Sequence, residues 1–455
     1  MKTYIIVGVI LVAIVALLAT NKKLVETLKN IFKIEELRSR ILFTLGLLLI
    51  YRLGSFVTLP GVDHAVLESW TANFANDGSL MGLLNIFSGG AFSQASVFAL
   101  GVMPYITASI IIQLLGIMVP YFRKMQREGE SGRRRMNQWT RFLTIAVLLL
   151  QAPAYLTTQV VASGAVTVTG SLFGITNGAF IVPAVIILIA GTMFIMWLGE
   201  KITDKGIGNG ISLIIMIGIV ARLPHSFLQE LLFQTGESGS ILLLIVELVF
   251  LALVFMLAIA IVQAVRKIPV QYAKRIVGNK QYGGVRQYIP LKLNAANVMP
   301  IIFAQALMFI PGLIWGGQWL DITSFWYNFT LVVLVIAFTY FYTAIIVNPQ
   351  MMADDMKRNG GFIPGVKPGK STVTYIDNIM TRITLPGSIF LALITVLPAI
   401  AMTLGIQQGF AYFFGGTSLL IMVGVVLDTL KQIESYLLMR HYDGLMKTGR
   451  IQGRY

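Results

Sequence analysis

Long apolar stretches constrain this chain more than any other feature of its sequence. A hydrocarbon core roughly 30 Å thick needs about 20 apolar helical residues to cross it. The sequence therefore predicts an all-α, polytopic membrane protein with ten spans. The candidate spans are residues 41–59, 102–120, 142–162, 179–198, 210–223, 241–264, 294–314, 327–347, 379–401 and 412–430.

The composition excludes a water-soluble fold. Hydrophobic residues make up 56% of the 455 residues and charged residues only 12%, whereas a soluble domain carries about twice that charged fraction. The chain has no cysteine, so disulfides and cysteine-ligated metals are excluded. Its three histidines, His64, His225 and His441, are too scattered to suggest a metal site. No cofactor and no redox chemistry are expected.

Positive charge alternates between the connections. No Lys or Arg lies between Arg52 and Arg123, while the next connection carries seven, from Arg123 to Arg141. By the positive-inside rule the basic side is cytoplasmic, which places residues 21–40 and the C-terminal tail, 439–455, inside. The other basic connections are 199–209, 266–292 and 348–382, and connections without Lys or Arg are 160–178, 315–326 and 402–411.

The first forty residues add two segments to the ten spans. Residues 1–20 contain an uncharged run, 4–18, which fits an extra apolar helix with its N-terminus outside better than a cleaved signal peptide, because basic residues follow it. A surface anchor is the third possibility for this run. Residues 21–40 are predicted to form an amphipathic helix on the cytoplasmic surface.

The spans divide into two halves of five, residues 41–223 and 241–438, joined by an external connection at 224–240. An odd number of spans per half inverts the second half relative to the first, and inverted repeats place a pathway at their interface. Within the first half, the apolar segment at about 83–100 is broken by Ser88-Gly89-Gly90, so we expect a re-entrant half-helix.

The spans contain few side chains that could bind ions or take part in catalysis. Ion-coupled transporters need titratable or coordinating groups inside their spans, and few are present, although an ion-coupled secondary transporter stays open as an alternative function. A membrane-embedded enzyme would need converging polar groups, and no catalytic constellation is found. The glycine-rich GIGNG, 206–210, lacks the lysine and strand of a phosphate-binding loop. Proline in a span frees a carbonyl and bends the helix, as expected at Pro104, Pro300 and Pro398.

A set of long motifs then resembles one family. The stretch FSGGAFSQASVFALGVMPYITASIIIQLL, 87–115, is similar to the SecY/Sec61α family, the central channel subunits of protein translocases. Further similar stretches follow in the family's order, and the resemblance covers about residues 22–450. They are RILFTLGLLLIYRLGSFVTLPGVD at 40–63, GIGNGISLII at 206–215, QYAKR at 271–275, LPGS and VLPA in the ninth span, and FFGGTSLLI at 413–421.

The resemblance implies the parts of a channel. A re-entrant plug would run from about Leu83 to residue 100, with Phe87 and the hinge Gly89-Gly90 at its base. A mid-membrane ring of apolar side chains would seal the pore, and a lateral gate between the second and seventh spans would be lined by Gln113 and Asn294. The ring residues implied are Ile106, Ile110, Ile215, Met299, Ile302 and Ile421.

The resemblance also implies function and partners. The chain would be a passive, non-enzymatic channel in the bacterial inner membrane, passing unfolded preproteins and their signal peptides across or sideways into the bilayer. The implied partners are SecE, SecG, SecA and the ribosome, with YidC and SecDF as further candidates. Lys367 replaces the arginine that the family most often carries there, which puts its docking role in doubt. The docking residues implied are Lys274, Arg275, Lys280, Arg286, Lys357, Arg358 and Lys367.

Overall fold

Helices form most of the protein in a computed structural model. The structure describes residues 34–67, 85, 87–168, 170, 177–236, 240–272, 275–277, 280–282, 286–315 and 322–448. The helices are α1 Glu35–Gly54, α2 Met103–Met118, α3 Pro120–Arg127, α4 Glu130–Tyr155, α5 Gly178–Lys205, α6 Gly210–Gln234, α7 Ile241–Gln263, α8 Met299–Trp315, α9 Phe325–Ile346, α10 Pro349–Arg358, α11 Lys370–Thr403, α12 Gln408–Ala411 and α13 Gly416–Thr448.

Each of the ten predicted spans contains one of these helices. Among the described residues, seven helices are long and apolar enough to cross a membrane, or eight if the pair Met103–Gly116 and Pro120–Gln126, bent by 99°, counts as one broken span. Helices suit this role because every interior backbone group is bonded within the segment. The fold is therefore that of an all-α, multi-pass membrane protein. The predicted N-terminal helix, 1–20, lies outside the described residues.

The first span differs from its prediction at both ends. Helix α1 begins at Glu35, inside the segment predicted to lie on the membrane surface, and ends at Gly54 rather than residue 59. It ends there because the Ser55 hydroxyl donates to the Arg52 carbonyl and the chain beyond it becomes extended, with Thr58 bridging Ser96. The remainder of the predicted surface helix, 21–33, lies outside the described residues.

The prolines named from the sequence do not all bend helices. Pro104 lies in the first turn of α2, where its missing N–H would have no partner in any case, and Pro300 is the second residue of α8. Pro398 lies inside α11. A stronger distortion follows Pro153, where α4 continues as one π-helical turn, Leu156–Val161.

Two threonine hydroxyls compensate for the distortion after Pro153. Thr157 donates its hydroxyl to the carbonyl of Pro153 at 2.9 Å, and Thr158 donates to the carbonyl of Ala154 at 2.7 Å. Carbonyls that a helix break frees must find donors inside an apolar environment. The two side chains supply those donors locally.

The chain forms two compact units. The first unit contains the described residues up to Leu232 and those from Val425 onward. The second unit contains the described residues from Phe233 to Gly424. The interior of the first unit is an apolar cluster drawn from α4, α5 and the chain between α1 and α2. Its buried members are Leu59, Leu67, Ala95, Ala99, Ala152, Tyr155, Leu156, Val160, Ala165, Phe180, Ile181, Ala184 and Leu188.

The second unit contains a small β-sheet in the connection predicted at 266–292. Strand β1, Val265–Tyr272, pairs antiparallel with β4, Arg286–Lys292, and with the two-residue strand β5, Gly361–Phe362. Between them, β2, Arg275–Val277, pairs with β3, Lys280–Tyr282. A separate apolar cluster lies under the sheet, made of Ile268, Val270, Leu291, Met356, Ile363, Ile376 and Met380.

One helical glycine in the first unit allows close backbone approach. A Cβ at Gly191 of α5 would collide with the carbonyl oxygen of Val97, a rigid backbone atom. We expect Gly191→Ala to lower the free energy of unfolding by about 1–3 kcal/mol, because such overpacking forces the backbone to shift. Thermal unfolding of the purified protein in detergent measures the effect.

Gly46 of α1 is the matched control, since a Cβ there would meet no atom within 4 Å. Gly46→Ala should leave the unfolding temperature unchanged or raise it slightly, because alanine favours the helix by about 1 kcal/mol over glycine. Equal destabilisation by both substitutions would contradict the close approach at Gly191.

Candidate functional site

The segment between α1 and α2 folds back into the first unit. From Ser88 to Val102 it is a succession of turns rather than the predicted half-helix. Four residues of this segment have positive φ: Gly89 (65°), Gly90 (95°), Ala95 (44°) and Gly101 (54°). A continuous helix is incompatible with these angles. We call residues 87–102 the re-entrant segment; Leu83, the predicted start of the plug, lies outside the described residues.

Backbone pairing attaches the re-entrant segment to the chain that follows α1. The Val97 N–H donates to the Val57 carbonyl at 2.8 Å, and the Leu59 N–H donates to the Ala95 carbonyl at 2.9 Å. From α4, the Tyr155 hydroxyl donates to the Phe92 carbonyl at 2.7 Å. Because Tyr155 is only 5% exposed, this bond forms away from water.

Aromatic stacking and a glycine in α1 fix the end of the re-entrant segment. Phe98 stacks on Tyr51 of α1 with ring centroids 6.0 Å apart, and on Phe194 of α5 at 6.1 Å. A Cβ at Gly54 would collide with the Phe98 ring. The last turn of α1 therefore needs glycine, because Phe98 occupies the space that a side chain would take.

Two arginines lie against the glycine pair of the re-entrant segment. Arg52 of α1 donates through Nη1 to the Gly89 carbonyl at 2.7 Å. A Cβ at Gly89 would lie 2.9 Å from the Cα of Gly218 in α6, and one at Gly90 would lie 3.3 Å from Nε of Arg222. The Gly89-Gly90 backbone thus passes between α1 and α6 at a distance that only glycine allows.

The ring residues implied by the family resemblance lie on four helices, two in each unit. In the first unit, Ile106 and Ile110 are one turn apart on α2, and Ile215 lies on α6. In the second unit, Met299 and Ile302 begin α8, and Ile421 lies in the first turns of α13. Neither α2 nor α8 contains a charged residue, so the side chains available along them are apolar or neutral.

The two residues implied for the lateral gate have different environments. The Gln113 amide donates to the Ser109 hydroxyl, four residues earlier in α2, at 3.3 Å. Asn294 is buried, and its side-chain oxygen has no hydrogen-bond partner among the described residues. Their pairing stays a prediction. A buried acceptor without a donor is costly, and this fits a side chain that changes partners.

The glycine-rich connection between α5 and α6 uses its amides internally. The Ile207 N–H donates to the Thr44 hydroxyl at 3.1 Å, and the Gly208 N–H donates to Oε1 of Gln432 at 2.7 Å. The Gly210 N–H donates to the Thr203 hydroxyl at 2.9 Å. Since these donors are occupied by protein side chains, the connection holds α1, α5 and α13 together instead of cradling a phosphate.

The basic residues implied for docking belong to the second unit. Lys357 and Arg358 end α10 and are exposed. Lys367 is also exposed, and its carbonyl accepts a hydrogen bond from the Thr372 hydroxyl. Arg275, Lys280 and Arg286 begin strands β2, β3 and β4, whereas Lys274 lies outside the described residues.

Sequence reasoning missed the contacts that secure the re-entrant segment. The bonds from Tyr155 to Phe92 and from Arg52 to Gly89 join residues 63 and 37 positions apart, and no local pattern announces such pairs. Arg52 did carry a signal, because it is followed by seventy residues without Lys or Arg.

Among the described residues, no group of three or more acidic, histidine or cysteine side chains is placed to hold a metal ion.

The fold matches that of multi-pass membrane channels that conduct proteins. A solved structure titled "The structure of a protein conducting channel" superposes with a TM-score of 0.57 and 18% identity, covering 87% of this chain and 91% of that one. A second, titled "Sec61 in the Canine ribosome-channel complex from the endoplasmic reticulum", superposes with a TM-score of 0.53 and 17% identity over the same shares.

Sequence comparison defines the family. The SecY family model matches residues 96–430. The protein translocase subunit SecY of Streptomyces coelicolor is 43% identical over 441 residues, 91% of this chain and 98% of that protein. The protein translocase subunit SecY of Chlamydia trachomatis is 42% identical over 459 residues, which cover 94% of this chain and 99% of that protein. The chain belongs to the SecY family.

The bond from Tyr155 to the re-entrant segment generates a prediction. Tyr155→Phe removes the hydroxyl that donates to the Phe92 carbonyl and leaves a buried acceptor weakly satisfied, at a cost of about 1 kcal/mol. Amide hydrogen exchange in residues 88–100, measured by mass spectrometry, should become about fivefold faster.

Tyr375→Phe is the control, because Tyr375 is 37% exposed and lies on α11 in the second unit, whereas the re-entrant segment belongs to the first. It should leave exchange in residues 88–100 unchanged. Unaltered exchange in Tyr155→Phe would show that the Phe92 carbonyl does not depend on this bond.

Proposed function

We propose that this chain is the channel subunit of a bacterial protein translocase and moves unfolded polypeptides across the cytoplasmic membrane or sideways into it. The observation that carries the proposal is the match of 41–43% identity to curated SecY translocase subunits over at least nine-tenths of the chain. The fold shared with protein-conducting channels supports it. The role is that of a conduit rather than of an enzyme.

The seal of the resting channel combines an apolar ring with the re-entrant segment. A narrow ring of aliphatic side chains excludes water and ions when empty, yet yields around a chain without binding a particular sequence. We assign this role to Ile106, Ile110, Ile215, Met299, Ile302 and Ile421. The re-entrant segment then acts as a plug that must move, and its turns around Gly89 and Gly90 give it a flexible base.

The lateral gate is the second part of the proposal. Gln113 and Asn294 are the polar residues assigned to it, and a polar contact in a low-dielectric setting stabilises a closed state by about 1 kcal/mol. The buried, unpaired oxygen of Asn294 supports this assignment. The division into halves at 41–223 and 241–438, with 224–240 as the external hinge, is part of the same proposal.

Cytoplasmic docking surfaces are the third part. The exposed Lys357, Arg358 and Lys367 lie beside a sheet whose strands carry further Lys and Arg. We assign this surface, with Lys274, Arg275, Lys280 and Arg286, to SecA and to the ribosome, because Lys and Arg bind RNA phosphates by releasing counterions with little dependence on sequence. Lys367 keeps the charge of the family's usual arginine but loses its planar fork.

Further partners and the energy source follow from the same role. The channel would act with SecE and SecG, and with YidC and SecDF as further candidates. A passive channel takes its energy from ATP hydrolysis by SecA, from chain elongation at the ribosome or from the membrane potential. The multi-pass chain would lie in the cytoplasmic membrane with its C-terminus inside, in line with its basic connections.

An ion-coupled transporter is the rival function, and two buried carboxylates deserve comparison with it. Glu230 and Glu247 are 0% and 4% exposed. Glu247 accepts a hydrogen bond from the Gln234 amide at 3.2 Å, which is the arrangement of a structural polar contact. The relatives named above are translocase subunits, so the translocase is the function that the chain supports best.

Reconstitution tests the proposed function directly. Proteoliposomes containing this chain and SecE should import a preprotein when SecA and ATP are added, measured as the fraction protected from protease. Liposomes without this chain, and reactions without ATP, should protect none. Correctly folded chain that fails to import in the presence of all partners would refute the proposal.

The ring assignment predicts an ion leak. Replacing Ile106 and Ile110 with glycine removes apolar side chains from α2, and the resting conductance in planar bilayers should rise at least severalfold because a wider, wetter constriction no longer excludes ions. Ile186→Gly is the matched control, since Ile186 is 64% exposed on the outer face of α5. Equal conductance in the two variants would remove these isoleucines from the ring.

A further inference from the structure

Two arginines face one glycine pair without an acidic partner. Arg52 donates to the Gly89 carbonyl, and a Cβ on the next residue of the re-entrant segment, Gly90, would lie 3.3 Å from Nε of Arg222. Among the described residues, neither guanidinium forms an ion pair with a carboxylate, and Arg222 donates no hydrogen bond. Both side chains are half-buried, and two like charges beside one glycine pair repel each other.

Their position in the sequence makes the pair more unusual. No Lys or Arg occurs between Arg52 and Arg123, or between Arg222 and Arg266. These two residues therefore lie at the edge of long stretches from which positive charge is otherwise excluded. Such isolated cations oppose the charge bias that orients the spans, so their retention points to a use.

We propose that Arg52 and Arg222 bind a small inorganic anion at Gly89-Gly90 and that the bound anion stabilises the closed re-entrant segment. An anion between the guanidiniums replaces their repulsion with two charge-assisted hydrogen-bonding contacts. Arg52 already uses Nη1 for the Gly89 carbonyl, and its fork leaves other N–H groups available. Closure of the segment then depends on the anion as well as on protein contacts.

The space favours a small ion over a lipid headgroup. A single Cβ on Gly90 would already lie 3.3 Å from Nε and 3.4 Å from Nη2 of Arg222, and one on Gly89 would lie 3.1 Å from Nη1 of Arg52. The same Cβ on Gly89 would lie 2.9 Å from the Cα of Gly218, a rigid backbone atom that closes the other side. A monatomic anion such as chloride therefore suits the site better than a bulky phosphodiester.

Binding is measured without transport. Purified, detergent-solubilised chain is titrated with sodium chloride against sodium gluconate at constant ionic strength, and the thermal unfolding temperature is recorded. Chloride should raise it saturably in the wild type. In Arg222→Gln the apparent affinity should fall about tenfold to hundredfold, as expected for the loss of one charged hydrogen-bonding partner. Arg222→Lys, which keeps the charge, should retain part of the response.

Lys124→Gln is the control, because it removes one positive charge from an exposed position on α3 and should keep the wild-type response. A wild type insensitive to chloride, or an equal response in Arg222→Gln, would overturn the site. Stabilisation by phosphatidylglycerol vesicles but not by chloride would also overturn it, in favour of a lipid headgroup.

The consequence for closure is measured in planar bilayers. Replacing chloride with gluconate should increase the open probability of the wild-type channel severalfold and leave the open probability of Arg222→Gln unchanged. An anion effect in Arg222→Gln but not in the wild type would contradict the link to closure. The inference rests on the proposed channel function for this last step only, since the unfolding titration and the preprotein import assay can succeed or fail independently.

Discussion

Non-helical backbone inside an apolar bundle requires a donor or acceptor for each of its polar groups, and the re-entrant segment depends on how the surrounding helices meet that demand. The segment pairs with the extended chain after α1, and its Phe92 and Gly89 carbonyls accept from Tyr155 and Arg52. Glycines in α5 and α6 let their backbones approach the segment closely, and Gly54 of α1 leaves room for the Phe98 ring. The conformation of the re-entrant segment is thus specified by four helices, α1, α4, α5 and α6, as much as by its own residues.

The sequence predicted the helices far better than their ends or their interruptions. Runs of about 20 apolar residues indicate a span without knowledge of its neighbours, and each predicted span contains a helix. The end of α1 at Gly54 and the turns from Ser88 to Val102 depend on contacts with distant residues such as Phe98 and Tyr155. The sheet escaped prediction because the partners that bury β1, Met356 and Ile376 among them, lie far along the chain.

The candidate site, too, could be predicted only in part from the sequence. Family motifs supplied the ring, gate and docking residues by position, and these remain assignments to be tested. The partners of each side chain could not be read from the sequence. The connection 206–210 illustrates the limit, because its glycines suggest an open amide cradle while Thr44, Thr203 and Gln432 in fact occupy its amides. Arg222 is a similar case: the sequence shows that no other Lys or Arg follows it until Arg266, and the structure alone shows that it lies beside Gly90.

The small sheet with its own apolar cluster has a consequence for surface substitutions. The apolar cluster beneath the strands stabilises them, through Ile268, Val270, Leu291 and Met356. The exposed residues of the sheet are therefore not needed to hold the spans together. Exchanging Lys, Arg or neutral residues there, as at Lys367, leaves the membrane-embedded helices intact. Single substitutions can therefore change the charge of this surface while the membrane-embedded helices keep their packing.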